Sequence, residues 1–239
     1  MTTNRAPIAV ALDAPDLDSL RAWARAVAPA VSTLKVGLET FCRDGAFAVI
    51  AARDAARESG VLDTQVFLDL KLHDIPATVF GAAHAVAHLE PAILTVHAAG
   101  GAAMVEAAAR ALPNTRIAAV TILTSLDEQA LAAIGMAGPS LDAAVRLAVV
   151  ATNAGARAVV CSPREVAAIR AAVASDIVLI TPGVRPAGSS MDDQKRVATP
   201  AQALADGADL LVIGRPITGA KDIGQAACDI ARSLARGHS

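Results

Sequence analysis

Residues 67–78 read FLDLKLHDIPAT. Asp69, Lys71, His73 and Asp74 stand almost side by side in a run that is otherwise aliphatic. Buried charge is costly unless it is paired or used. Alternation explains how the run tolerates it. Residues two apart on a strand share a face, so Asp69 and Lys71 point one way while Leu68, Leu70 and Leu72 point the other. The leucines mark the face covered by helices, and the charges mark the opposite face, at the strand's C-terminal end.

Working outward, VFLDL (66–70) is one of eight short apolar runs. IAVALD (8–13) and TLKVG (33–37) precede it, and ILTVH (93–97), IAAVTIL (117–123), AVVCS (158–162), IVLITPG (177–183) and LLVIGRP (210–216) follow. Between them lie alanine-rich stretches such as LDSLRAWARAVA, GAAMVEAAARAL and PREVAAIRAAVA, with apolar spacings of three and four that specify amphipathic helices. Ser162-Pro163 followed by Glu165 reads as a helix start, with a cap, proline at the first helical position and an acid in the first turn. Strands joined by crossover helices form a parallel sheet. Eight such units without a linker or a break in composition predict a single-domain (β/α)8 TIM barrel spanning residues 1–239. An open doubly wound sheet is the weaker alternative, because no GxGxxG follows the first strand.

Composition narrows the functional classes. Hydrophobic residues make up 54% of the 239 and charged residues 18%, which specifies a packed globular chain rather than a disordered one. The net charge is -2 and no dense basic run occurs, so neither nucleic acid nor an acidic membrane is an expected partner. Cys42, Cys161 and Cys228 form no CxxC pair and read as buried free thiols, with no disulfide framework or zinc site. The N-terminal apolar run is broken by Asp13, too early for a signal peptide. No apolar stretch reaches the roughly 18 residues of a membrane helix. The expected location is the cytoplasm.

In such a barrel, chemistry gathers at the C-terminal ends of the strands. Strand one ends in Asp13, strand two carries Lys35 between Leu34 and Val36, and strand three ends with Asp69 and Lys71. The fifth runs into Thr124 and Ser125, the seventh into Gly183-Val184-Arg185 and the eighth into Gly214-Arg215. An alternating lysine–aspartate cluster can keep every member charged. It could equally be a structural ion-pair network closing the barrel top. The phosphate-type signals at the same end weigh against that: arginine beside glycine after strands seven and eight, the second opening a helix near Pro216. RPAGSSMDDQKRVATP between them reads as a polar loop able to close over a ligand. His84 and His88 lack the glutamate of a zinc-protease helix and read as a solvated face. His97 could line the mouth or be structural, Trp23 reads as packing, and Gly100-Gly101 as a turn.

DLKLHDIPAT, with ALD early, KVG in the second strand, LTS after the fifth, TPGVRP late and GRPI near the end, resembles the orotidine 5′-phosphate decarboxylase family over essentially the whole chain. The resemblance implies a homodimeric barrel that converts orotidine 5′-phosphate to UMP and carbon dioxide, the last step of de novo pyrimidine synthesis, without metal or organic cofactor. It implies that Lys35, Asp69, Lys71 and Asp74 form a charged tetrad, with Lys71 protonating C6 of the pyrimidine. Asp74, Ile75 and Thr78 are then expected to reach into the neighbouring subunit's site. Asp13 and Lys35 are expected at the ribose hydroxyls, Thr124 and Ser125 near the pyrimidine, and Arg185, Gln194, Gly214 and Arg215 at the phosphate.

The alternative is a metal-dependent sugar-phosphate lyase on the same barrel. Such relatives share D-x-K-x-x-D but carry an acid where Lys35 stands, and a lysine there repels a cation. A pentose-phosphate epimerase would need metal-binding histidines on several strands, and His97 alone is too few. A catalytically silent phosphate-binding relative would be expected to lose Asp69 or Lys71, and both are present.

Overall fold

The computed structural model describes residues 5–136, 138–185 and 198–236. Eight strands run in chain order: β1 (Ala6–Ala11), β2 (Val31–Gly37), β3 (Gln65–Leu72), β4 (Ile93–His97), β5 (Arg116–Val120), β6 (Ala158–Val160), β7 (Val178–Thr181) and β8 (Leu210–Ile213). Every neighbouring pair is parallel, and β8 returns to β1 through Ile8 opposite Leu211 and Val10 opposite Ile213, so the barrel closes. The helices between them are α1 (Leu17–Val27), α2 (Leu38–Asp44), α3 (Ala46–Glu58), α4 (Pro76–Ala85), α5 (Ala102–Ala111), α6 (Glu128–Ala133), α7 (Ser140–Asn153), α8 (Val166–Ala172), α9 (Pro200–Ala205), α10 (Arg215–Thr218) and α11 (Ile223–Arg236).

Local chemistry accounts for the helix starts. Asp16 accepts a hydrogen bond from the Ser19 amide at 2.7 Å and caps α1, whose Leu20, Ala24 and Val27 then face inward. Thr199 caps α9 through the Gln202 amide, with Pro200 next in line. The start expected at Ser162 is delayed. Glu165 accepts from the Ser162 amide at 2.9 Å, half of a capping box, but residues 163–165 form a turn and α8 begins only at Val166.

Two cores follow from strand alternation. Ile8, Val10, Leu12, Leu34, Val36 and Leu68 point outward and pack under the helices. Ala9, Phe67, Ile93, Ala118, Val120, Ala158, Val160, Ile180 and Leu210 fill the barrel interior. Trp23 packs against the outer core, and His84 and His88 are exposed, as the sequence implied.

Three expectations need correction. Cys161 is buried, but Cys42 and Cys228 are exposed, on the outward faces of α2 and α11; all three are free thiols. Several strands also stop short of their apolar runs. β1 ends at Ala11, so Asp13 lies in the following loop, and β5 ends at Val120 although Thr121 and Ile122 remain buried. Finally, β3 does not keep a regular register: Leu68 lies opposite Leu94 and Leu72 opposite Val96, so Asp69, Leu70 and Lys71 all face the single residue Thr95. This is a bulge, and Lys71 within it adopts a left-handed backbone with φ of 50°.

Candidate active site

The inward faces of β2 and β3 bring Lys35 and Asp69 together in the barrel mouth, where they are only 6% and 8% exposed. Lys35 Nζ lies 3.2 Å from Asp69 Oδ2 and 3.8 Å from Asp13 Oδ1. Lys71 Nζ donates to Asp69 Oδ1 at 2.8 Å. The four side chains thus alternate in sign as Asp13, Lys35, Asp69, Lys71, and each internal charge is flanked by opposite ones. Burial pushes the Asp69 carboxyl upward, but Lys35, Lys71 and the hydrogen bonds from Lys71 and Thr95 outweigh it and hold the group below the usual carboxylate range. Asp69 is an anion wherever the fold is intact near neutral pH.

Two residues absent from the sequence reading shape this cluster. Thr95, fully buried on β4, donates its hydroxyl to Asp69 Oδ1 at 2.9 Å and accepts the Lys71 amide at 2.9 Å. It shares the inward face with Ile93 and His97, and a lone hydroxyl in the run ILTVH was the available signal. Gly37 closes β2 on the same face as Lys35. A Cβ there would lie 2.4 Å from Asp13 Oδ1 and 3.0 Å from Lys35 Nζ, so only glycine leaves room for the pair. KVG was legible as a motif, but its glycine carried no mark of that close approach.

Asp69 sits where two lobes of the mouth meet. One, of about 170 Å³, is walled by Phe67, Val120, Ile122, Leu123, Val160, Cys161, Pro182 and Val212, with Thr124 and Lys71 as its polar members. The other, of about 490 Å³, is lined by Asp13, Lys35, Gly183, Arg185, Gly214, Arg215 and Thr218. Gly183 takes φ of 80°, which turns the chain after β7 and is open to glycine at little cost. Arg185 is then buried, its amide donating to the Ala198 carbonyl at 3.0 Å. Arg215 opens α10 directly after Gly214. The first lobe suits a flat, largely apolar ring, and the second, with Arg185 and Arg215 among its lining residues, suits an anionic oxygen-rich group.

Eight of the expected site residues therefore converge: Asp13, Lys35, Asp69, Lys71, Thr124, Arg185, Gly214 and Arg215. Ser125 is exposed beside Thr124 and lines neither lobe. Asp74, Ile75 and Thr78 stand apart at the start of α4, all exposed, with Asp74 Oδ1 accepting the Ile75 amide at 2.6 Å. Among the described residues no lysine or arginine lies within ion-pair distance of Asp74. Gln194 falls outside the described residues. His97, half-buried at the end of β4, faces His73 with ring centroids 5.3 Å apart; burial and the neighbouring His73 and Lys71 push its pKa down. No group of three or more histidine, cysteine, aspartate or glutamate side chains among the described residues is arranged to hold a metal ion, and none of the described helices is long and apolar enough to cross a membrane.

Comparison with known proteins gives the family. The family model for the orotidine 5′-phosphate decarboxylase / HUMPS family matches residues 6–230. The chain belongs to this family. It is 66% identical to the orotidine 5′-phosphate decarboxylase of Thermobifida fusca, with 96% of each chain aligned. It is 56% identical to that of Frankia casuarinae, over 97% of this chain and 88% of the relative. Among solved structures, the orotidine 5′-phosphate decarboxylase of Lactobacillus acidophilus superposes with a TM-score of 0.79 at 32% identity, covering 96% of this chain and 99% of the other. The single barrel and the charged cluster in its mouth are thus features of a chain that aligns with its relatives from β1 into α11.

Proposed function

We propose that the protein decarboxylates orotidine 5′-phosphate to UMP, the closing step of pyrimidine nucleotide synthesis. The observation that carries this reading is the Lys35–Asp69–Lys71 chain at the junction of an apolar lobe and a cationic one. The pyrimidine occupies the lobe of Phe67, Ile122 and Thr124, with Ser125 at its edge. The ribose hydroxyls meet Asp13 and Lys35. Arg185, Arg215 and the Gly214 amide hold the phosphate, joined by Gln194.

The chemistry needs what this arrangement supplies. When the C6–carboxylate bond breaks, its electron pair remains on C6, where no adjacent carbonyl delocalises it simply. A fixed ammonium beside C6 stabilises that charge before and during bond breaking, a preorganised electrostatic effect of the kind that dominates many enzymes. Lys71 Nζ then gives its proton to C6, and the resulting neutral amine regains a proton from solvent. Asp69 holds and aims Lys71 through the 2.8 Å hydrogen bond to its Nζ. Phosphate binding, remote from C6, supplies energy that orders the site around the reacting ring. No metal or organic cofactor enters these steps.

The metal-dependent lyase is disfavoured by Lys35, whose ammonium fills the place beside Asp69 that a cation would need. Two further features support an active dimer. Lys71 remains one-third exposed in the isolated chain, while Asp74, Ile75 and Thr78 are exposed at the start of α4, and the Asp74 carboxylate meets no lysine or arginine among the described residues. Phe47 on α3 and Ile75 are 71% and 66% exposed, apolar surface on consecutive βα units of the kind that subunit contacts cover.

The test is orotidine 5′-phosphate consumption followed by ultraviolet absorbance in excess chelator. Rapid conversion to UMP is expected. Absence of turnover in chelator, with activity on a sugar phosphate once magnesium is added, would overturn the reading.

A further inference from the structure

Both ends of Lys71 are tied to the same two side chains. Its Nζ donates to Asp69 Oδ1 at 2.8 Å, its backbone amide donates to Thr95 Oγ1 at 2.9 Å, and Thr95 Oγ1 donates to Asp69 Oδ1 at 2.9 Å. The three hydrogen bonds close a ring. Its sense is fixed. The Thr95 oxygen receives the Lys71 N–H on a lone pair, so its one proton is free to point only at the carboxylate.

The ring sits where β3 departs from regular pairing. Asp69, Leu70 and Lys71 stand against Thr95 alone, so the β-ladder cannot serve all of their backbone groups. A lysine at φ of 50° is strained, and such strain persists only where the surroundings over-determine it. The Thr95 hydroxyl supplies the missing partner for the Lys71 amide. It does so from a fully buried position, so its removal leaves the Lys71 amide without this partner.

We propose that Thr95 is a positioning residue for decarboxylation, fixing the Asp69 carboxylate and the left-handed backbone of Lys71 against each other. It does not reach the substrate itself: Asp69 and Lys71 line the ring lobe, and Thr95 lies behind them. The inference rests on the reading of Asp69 and Lys71 as the reacting pair. Other groups bear on Asp69 too: Lys35 from β2 on its second oxygen, Asp13 through Lys35, and His97 and His73 beyond Lys71. None of these groups is hydrogen-bonded to Thr95, so an effect of substitution there reports on the hydroxyl.

The experiment compares wild type, Thr95→Val and Thr95→Ser in steady-state turnover of orotidine 5′-phosphate across the pH range of the folded protein, alongside UMP binding. Loss of a buried hydrogen bond to a charged group should lower kcat of Thr95→Val by roughly ten- to a hundredfold, with UMP affinity within about twofold of wild type. The hydroxyl favours the Asp69 anion, so its removal should also move the acid limb of kcat/KM to higher pH. Thr95→Ser, which keeps the hydroxyl, should restore both. A Thr95→Val enzyme with wild-type kcat and acid limb overturns the proposal, and so does a Thr95→Ser enzyme as impaired as Thr95→Val. Should Thr95→Val not fold, Thr95→Ala against Thr95→Ser carries the same comparison: impaired alanine with active serine supports the role, and equal activity overturns it. A wild-type protein without turnover would sink the decarboxylase reading itself, an outcome separate from normal turnover in wild type and valine variant alike.

Discussion

Gly37 ties a single missing methyl group to the binding end of the site. Its φ of -86° is open to any residue, so substitution costs nothing in backbone strain. The cost is local. An alanine Cβ would press on Asp13 Oδ1 and Lys35 Nζ. Asp13 is half-exposed and can swing aside, whereas Lys35 is buried and held by Asp69. Gly37→Ala should therefore fold with wild-type stability yet separate Asp13 from Lys35, raising KM about tenfold if each normally contributes an ordinary hydrogen bond to the ribose, with a much smaller change in kcat. Steady-state kinetics beside a thermal melt check this. A large fall in kcat at unchanged KM would move the pair from binding to chemistry. At this scale the charges were legible, since alternation alone put Lys35 and Asp69 inward beside Leu34, Val36 and Leu68. Lys71 was legible for an incomplete reason: it reaches the mouth through a bulge and a left-handed backbone, and nothing in LDLKL marks either.

The elements show where alternation and apolar runs mislead. IAAVTIL reads as a seven-residue strand, but the ladder ends at Val120 because Ile122 and Leu123 serve as walls of the ring lobe instead. Apolarity there reports contact with a cavity, and period-two pairing is not required for it. The cysteines mislead for the opposite reason. A small apolar thiol on a short or terminal helix can face solvent at little cost, as Cys42 on α2 and Cys228 on α11 do, while Cys161 just beyond β6 is buried against the lobe. Burial and the nearby Glu165 push the Cys161 thiol up to about 12. Since the thiolate is the nucleophile, Cys161 stays protonated and unreactive at any pH well below that value. Iodoacetamide at mildly alkaline pH should modify Cys42 and Cys228 in the folded protein and Cys161 only after denaturation. Peptide mapping by mass spectrometry reads the difference. Modification of Cys161 at the rate of the other two would mean that the ring lobe opens to solvent far more than its packing implies.

At the scale of the whole molecule, one chain holds Asp69 and Lys71 together but leaves Asp74 outside their cluster. Asp69 and Lys71 are bonded within the mouth, and Asp74, with no lysine or arginine within ion-pair distance among the described residues, accepts its own chain's Ile75 amide instead. That division makes sense if two copies pair about a two-fold axis, so that each lends Asp74, Ile75 and Thr78 to the other's mouth. The arrangement has a quantitative signature. Lys71→Ala and Asp74→Ala should each abolish turnover as pure homodimers. Mixed in equal amounts with free exchange, about half of the dimers become heterodimers, and each heterodimer holds one site with both wild-type groups and one with neither. About a quarter of wild-type activity per chain should therefore return, and it should rise at the rate of subunit exchange, followed independently by differently tagged chains. Exchange without any recovered activity would place Asp74 in the same site as the Lys71 of its own chain, or outside the chemistry altogether.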